Sequence, residues 1–564
     1  MKNILKYASV LALGWLASGC NSFLDEQPDN RTEIDTEDKL TALLVTAYPD
    51  RLYAPVLEGR VDYYTDEGVT FIGGQQGANF DYVLSAFMWD QYTRTEAGND
   101  SYEKFWTSTY GAVAAANQAL ASIEEMGDPA SVSQQKGEAL VCRAYNHFTL
   151  LTMYSNFFDA DGRGSNPGVP YVEEPENVVI KQYERGTVQS TFDKVLRDFN
   201  AGIGKLGGSA DYAQPKFHFT RDAGHALGAR IALYSENYGD VIGHAAAIGI
   251  PVASRLTDMT SGGSPRVNKD GSKAQYVADN DLLRTYCKLN MHDWNSLAQN
   301  PGGVDGISME FSGADAKANL LVMECVTSWP RVACNGTYFS RYGIEKETLR
   351  EMRTNTAAGV TQMLPIYSYS SDPAGIVPKF YEDFKYTNIA AGTGIIYTKF
   401  PIFRIEEVLL ARAEAFAMTG RYQDALNDLN MWTKVRATSE TFNDNTNTIY
   451  RDALLSYYSR ELEDPDHFIN SSFNQSKWTA AEGDLAFQKA LILAILDART
   501  FEFINEGLRY FDILRWNIPV THVAYNKTRS TLTPDDDRRV IQIPQVASLS
   551  GLEPNPWVNV GTWE

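Results

Sequence analysis

The spacings that hold metals or run common hydrolytic chemistry are missing from this chain. Its seven histidines stand at 147, 218, 225, 244, 292, 467 and 522, and no two fall on one helix face at ligand spacing. There is no HExxH, no GxSxG and no Walker loop, which removes the usual metalloprotease, serine-hydrolase and NTPase readings. Cysteine is scarce too: Cys142, Cys287, Cys325 and Cys334 accompany Cys20, and none forms a CxxC pair. Cys142 lies in an apolar helical pattern and reads as a small buried hydrophobe, while Cys325 and Cys334 are close enough in sequence to bridge in an oxidising compartment. Positive charge is in deficit, with 50 Lys+Arg against 71 Asp+Glu and a net charge of −21. That balance argues against a nucleic-acid partner and against broad adsorption to anionic lipid. Beyond the first twenty residues no run of eighteen apolar residues occurs, so nothing else reads as a spanning helix.

The first twenty residues do carry a pattern. Lys2 and Lys6 precede a short apolar core, and Ala17-Ser18-Gly19 precede Cys20. The core is about a dozen residues, too short to span a bilayer as a mature helix. Small side chains before a lone cysteine make this a lipoprotein signal over residues 1–19, with Cys20 as the lipidation site. Leu16 stands four places before the cysteine, where such boxes usually place leucine three before. The plainer alternative is an ordinary secretory signal with an incidental cysteine. Several acyl chains, at about 0.8 kcal/mol per buried methylene, hold a protein stably on a membrane.

Apolar periodicity organises the rest. Thr36 can cap a helix over 37–48, and helical patterning returns at 102–125, 134–156, 187–204 and 221–235. It returns once more over 403–418, 421–437 and 484–516. Residues 50–100, with Gly73-Gly74-Gln75-Gln76-Gly77, and residues 250–400 lose it and read as long functional loops. The expected organisation is a leader over 1–19 and a domain over 20–564, made of an N-terminal part (20–250), a loop-rich insertion (250–400) and a C-terminal helical part (401–564). Residues 403–437 are the most readable unit. Ile405, Val408, Leu409, Ala413 and Phe416 line a first helix, Gly420 permits the turn, and Tyr422, Ala425, Leu426 and Leu429 line a second. Gly420-x-Tyr422-x-x-Ala425 is a tetratricopeptide-type pattern of turn, wedge and close approach. A looser copy at 224–245 keeps Tyr238 but has Asn237 and Val241 in place of glycine and alanine.

Three motifs lack their context. Gly202-x-Gly204-x-x-Gly207 follows a helix, not a strand, and reads as a flexible helix end instead of a dinucleotide loop. Ser133-x-x-Lys136 has no companion motifs and reads as a helix start. Asp159-Ala160-Asp161-Gly162 lacks the third acid and distal glutamate of a calcium loop. No metal and no cofactor is implied. The charged run Arg499, Glu502, Glu506, Arg509, Asp512 and Arg515 admits an acid–base pair at Glu502 and Glu506. The stronger reading is a salt-bridged helix whose arginine forks clamp carboxylates in the core.

Aromatics are plentiful, with 31 Tyr and 10 Trp. In the aperiodic segments they sit beside polar groups: Tyr63, Tyr64, Trp89 and Tyr92 with Asp66, Arg94 and Asn99, and Trp294, Trp329, Tyr338 and Tyr342. A pyranose offers an apolar face to such rings and hydroxyls to such polar groups, so these eleven residues are the candidate ligand contacts. At each aromatic position, ordinary packing competes with ligand contact.

Taken in order, several motifs resemble those of the SusD/RagB family of outer-membrane lipoproteins of Bacteroidetes. After the lipobox come Phe23-Leu24-Asp25, Pro28 and the helix ending Ala47-Tyr48, then Trp106-x-x-x-Tyr110-x6-Asn117 and Arg143-Ala144-Tyr145 with Phe148. Arg404-x-x-Glu407-x-Leu409-Leu410-x-x-Ala413-Glu414-Ala415, the run from Arg499 to Trp516, and the closing Pro544 and Asn555-Pro556 follow. The resemblance implies a mostly α, SusD-like fold with tetratricopeptide-type hairpins and a large loop-rich ligand-binding region. It implies a binder and not an enzyme, which captures glycans, or in one branch peptides, for a SusC-like TonB-dependent transporter. A surface glycoside hydrolase and a scaffold lipoprotein without a small ligand are the other classes left open.

Overall fold

The computed structural model describes residues 34–66, 81–95, 98–157, 163–250, 311–312, 318–335, 342–354, 356–362, 374–375, 377, 379–436 and 447–564, apart from 177 and 179. Cys20 and the motif at 159–162 lie outside them.

The longer helices follow the apolar periodicity: α1 (Glu37–Leu44), α2 (Tyr102–Glu125), α3 (Ser133–Tyr154), α4 (Val188–Ile203), α5 (Arg221–Tyr234), α6 (Tyr238–Ile248), α7 (Ile405–Met418), α8 (Tyr422–Arg436), α9 (Glu482–Glu502) and α10 (Leu508–Arg515). Short hydroxyl and amide side chains start five of them. Thr36, Ser101, Thr187, Thr220 and Asn237 each accept a backbone N–H of the first turn, which satisfies one of the donors that a helix start leaves orphaned. Consecutive helices then stack: α2 on α3, α3 on α4, α5 on α6, α6 on α7, and α7 on α8 and α9. The degenerate repeat at 224–245 is therefore a real hairpin, α5–α6, and it packs directly against the well-formed one, α7–α8.

Buried arginine forks stitch this stack. Arg143 on α3 reaches Asp198 on α4 (2.5 Å) and Asn117 on α2 (3.0 Å). Arg230 on α5 grips Glu407 on α7 through two bonds (2.6 and 2.7 Å), and Arg412 on α7 grips Asp428 on α8 (2.8 and 2.7 Å). Arg515 on α10 holds Glu414 on α7 at 2.6 and 3.0 Å. Paired, bidentate geometry is what lets such charges sit inside a core.

Three expectations are corrected. The helix expected over 484–516 is two helices, because Asn505 (φ 66°) and Gly507 (φ 80°) adopt left-handed backbone, and a Cβ at Gly507 would come within 3.0 Å of the Ala54 Cα. Gly202 does not mark a flexible end: it is buried where α3 and α4 cross, and a Cβ there would lie 2.7 Å from the Gly137 carbonyl oxygen. Residues 250–400 are not uniformly irregular. Strand β1 (Tyr64–Asp66) pairs antiparallel with β3 (Tyr342–Glu345), which pairs with β4 (Ala374–Gly375). Strand β2 (Asn319–Cys325) pairs with β6 (Thr393–Arg404), which pairs with β5 (Asp383–Asn388). A third ribbon joins β7 (Val520–Val523) to β8 (Arg529–Leu532). Cys325 is a free, buried thiol with its sulfur 3.9 Å from the Pro49 carbonyl oxygen, so it forms no bridge; Cys142 is free and buried as expected.

Candidate ligand-binding face

The two aperiodic segments singled out in the sequence meet in space. Tyr64, Thr65 and Asp66 of β1 lie opposite Ile344, Gly343 and Tyr342 of β3, and the Thr65 hydroxyl donates to the Gly343 carbonyl (3.2 Å). Further along, the Asp100 carboxylate accepts the hydroxyls of Thr327 (2.5 Å) and Ser328 (2.7 Å) and the Ser328 amide (3.0 Å). Tyr82 shares a hydrogen bond with Ser328 at 3.1 Å. These contacts turn two segments far apart in sequence into one platform, edged by the β7–β8 ribbon, where the Asp66 carboxylate accepts the Tyr525 amide (2.9 Å).

The platform corrects five of the proposed contacts. Tyr63, Tyr64, Trp89, Trp329 and Tyr342 are buried, and their ring faces are used by the protein itself. The Tyr63 hydroxyl donates to the Glu58 carboxylate (2.7 Å). Tyr342 packs on Phe87 with ring centroids 4.8 Å apart. The Trp329 indole donates to the Asn505 carbonyl (3.0 Å), beneath the turn that breaks α9 from α10. Trp89 stacks on His522 (4.3 Å, 12° between planes), whose other face stacks on Phe87 (4.3 Å, 4°). The Arg538 guanidinium closes the far side of Trp89, 5.0 Å from the ring centre. Large rings gain most by full burial, and here they build the floor.

What faces outward is polar. Arg94 and Asn99 are exposed and Tyr92 and Asp66 are half-buried; Arg94 donates to Asp90 (2.8 Å) and its amide to Ser85 (3.0 Å). Trp294 and Tyr338 lie outside the described residues. Sequence reasoning missed His522, Trp563 and Tyr525. The alternating 520–523 and 529–532 runs around Lys527 (φ 69°) are a hairpin signal that pointed to the ribbon carrying two of them. His522 faces two carbonyls, Phe87 O (2.7 Å) and Val61 O (2.8 Å). Burial presses its pKa down to about 4, so the neutral ring satisfies only one of them with its single N–H.

Beneath the floor, Glu58 is fully buried and accepts the Tyr63 hydroxyl and the Gly507 amide (2.6 Å). Burial pushes its carboxyl from 4.5 up to about 7, against those two donors, which favour the anion. A carboxyl with a raised folded-state pKa binds protons more tightly when folded. Its stabilisation is complete below pH 4.5 and fades as pH rises through 7, by roughly 3 kcal/mol at 1.36 kcal/mol per unit. The Glu58→Gln chain is expected to lack this part of the pH slope. Denaturant midpoints of both chains at pH 5 and pH 8 measure it, and parallel slopes would refute the assignment.

Among the described residues, clefts also lie away from this face, two of them walled by aromatic rings. One, of about 340 Å³, is walled by Trp106 and Tyr110 of α2 and by Tyr183 and Leu552. The other, of about 700 Å³, lies across α2 between Tyr48, Phe217 and Met323. Neither contains a residue of the sequence-derived contact set. Among the described residues no group of three or more His, Cys, Asp or Glu side chains is placed to hold a metal, and no helix is long and apolar enough to cross a membrane.

The molecule is thus a helical stack stitched by arginines, with a loop-built polar face on an aromatic floor. Residues 22–233 match a SusD-like family model described as "Starch-binding associating with outer membrane", and residues 332–544 match the SusD family model. The chain belongs to the SusD family. The fold is similar to a SusD superfamily protein from Bacteroides thetaiotaomicron VPI-5482 (TM-score 0.56, 15% identity, 92% of this chain and 100% of the other). It is similar also to a SusD superfamily protein (0.54, 16%, 93% and 99%) and a SusD-like carbohydrate binding protein (0.54, 13%, 91% and 96%), both from Bacteroides vulgatus ATCC 8482. No curated protein sequence matches the chain.

Proposed function

We propose that this protein is a glycan-binding lipoprotein of the outer membrane, anchored through Cys20, which captures oligosaccharides and delivers them to a SusC-like TonB-dependent transporter. The observation that carries the reading is the convergence of the two aromatic- and polar-rich segments on one platform, in a family whose matched model is described as starch-binding and associated with the outer membrane. A structural neighbour bears the description carbohydrate binding protein, which favours a sugar over a peptide. Asp66, Tyr92, Arg94 and Asn99 are the outward groups suited to it: a ring for a sugar's C–H face and charged or amide partners for its hydroxyls. The helical stack offers a broad surface for docking the transporter. The charged run at 499–515 is held in ion pairs, which supports a structural role for it and agrees with the reading of a binder.

Calorimetry against oligosaccharides and peptides tests this. A glycan is expected to bind, Tyr92→Ala and Arg94→Ala to weaken it about tenfold, and the glycan to be recovered unaltered. Silence across the glycans with binding of a peptide transfers the protein to the peptide branch. Turnover of the sugar overturns the binder reading.

A further inference from the structure

The β5–β6 hairpin stands away from the body. Strand β6 is paired with β2 only over its C-terminal half; from Asp383 to Tyr397 no further strand lies beside the ribbon among the described residues. Residues 384–393 are all exposed, with Phe384 at 41%, Tyr386 at 59% and Ile389 at 84%. A two-stranded ribbon with apolar residues in water is marginal unless something else meets it.

The order of side chains along the ribbon says what that is. The tip is Ile389-Ala390-Ala391-Gly392. It is held by the Ala391 amide donating to the Asn388 side chain (3.0 Å) and by the left-handed Gly392 (φ 63°). Residues 386–398 carry no charge at all in a chain that is 21% charged. Descending from the tip come the uncharged polar residues Asn388, Thr387 and Thr393, then Tyr386, opposite Gly394. Lys385 follows, opposite Ile395, and then Phe384, opposite Ile396. Phe384 and Tyr386 pack edge to face (4.9 Å), and Phe384 covers Gly394 so closely that a Cβ there would lie 2.7 Å from the ring. The first charge met on either strand is a cation, and the first acid, Asp383, is occupied by the Tyr397 hydroxyl (2.8 Å). An apolar tip, an uncharged polar collar, then Tyr386 and a lysine that reaches phosphates, with Phe384 just below, is the layering of a segment seated in a lipid–water interface. At about 3.3 Å per residue the tip stands roughly 13 Å beyond Lys385, enough to pass the headgroups.

We propose that the tip of the β5–β6 hairpin enters the surface of a lipid bilayer, with Tyr386 and Phe384 at headgroup level and Lys385 on lipid phosphate. A body of net charge −21 has no broad electrostatic hold on such a surface, so the uncharged tip supplies the contact. The contact is independent of the glycan face, and its failure leaves that reading untouched.

The test is flotation of the mature chain, carrying Cys20→Ser so that no acyl chain is attached, with vesicles of phosphatidylethanolamine and phosphatidylglycerol. The parent is expected to float. Ile389→Asp is expected to lower partition at least tenfold and Lys385→Glu several-fold. Val558→Asp, at a site equally exposed (85%) on another part of the surface, leaves it unchanged. Unaltered denaturation midpoints and glycan affinity establish that the variants fold. Equal flotation of Ile389→Asp and the parent overturns the proposal. So does a parent that never floats, and if Ile389→Asp then loses a co-purifying protein, the tip belongs to a protein groove instead.

Discussion

Replacing Glu502 with alanine is expected to cost about 3–5 kcal/mol of folding stability, the loss typical of stranding a buried charge. Its carboxylate is fully enclosed and accepts four donors: Arg404 Nη1 (2.9 Å), Arg436 Nε (2.8 Å) and Nη2 (3.1 Å), and the Trp432 indole (2.9 Å). Burial alone would raise its pKa, but the Arg436 and Arg404 guanidiniums outweigh that and hold it at about 2. Around it Arg404, Arg436 and Lys379 face Glu406, Glu502 and Glu506, three cations against three anions, all buried. Alanine leaves two guanidiniums without their shared partner. Denaturant unfolding at pH 7 measures the effect. A catalytic carboxylate behaves in the opposite way, losing activity with the fold intact, and a Glu502→Ala chain of unchanged stability would falsify the structural assignment.

Trp89→Ala is expected to cost a similar amount, about 3–5 kcal/mol, as for other fully buried aromatics cut back to a methyl. The ring is 1% exposed, lies on a residue with φ 53°, and closes the stack with His522 and Phe87. Removing it leaves one face of His522 and the Arg538 guanidinium without their neighbour. Glycan affinity of the folded fraction is expected to stay within about twofold of the parent. Loss of affinity at unchanged stability would return Trp89 to the ligand.

The difference between what was legible and what was not follows from range. Helices α1 to α9 start where a threonine, serine or apolar period says they start, because capping and amphipathicity are local. The arginine forks were readable in kind, since a run such as Arg499, Glu502, Glu506 and Arg509 on an apolar stripe has few other stable fates. The partners were not readable, because Arg404 meets Glu506 across 102 residues. The break at Gly507 was missed because what leaves no room for a side chain there, Tyr53 and Ala54, lies at the other end of the chain. The ligand face divided the same way. Its two segments were found from lost periodicity and aromatic content, but composition does not distinguish a ring that paves a floor from one that faces solvent. Trp89 and Tyr92 are three residues apart and fall on opposite sides of that distinction.

The joint between α6 and α7 has a consequence for how such proteins diversify. Helix α6 ends at the left-handed Gly249, and its packing partner α7 begins at Ile405. The described parts of the intervening stretch do not stand clear of the stack: Trp329 donates to the Asn505 carbonyl, Lys379 reaches Glu506 and Arg404 reaches Glu502, so those positions are tied to the helices beneath them. A change in that passage is therefore tolerated only where it spares those three anchors, since each of them is also a brace of the helical body.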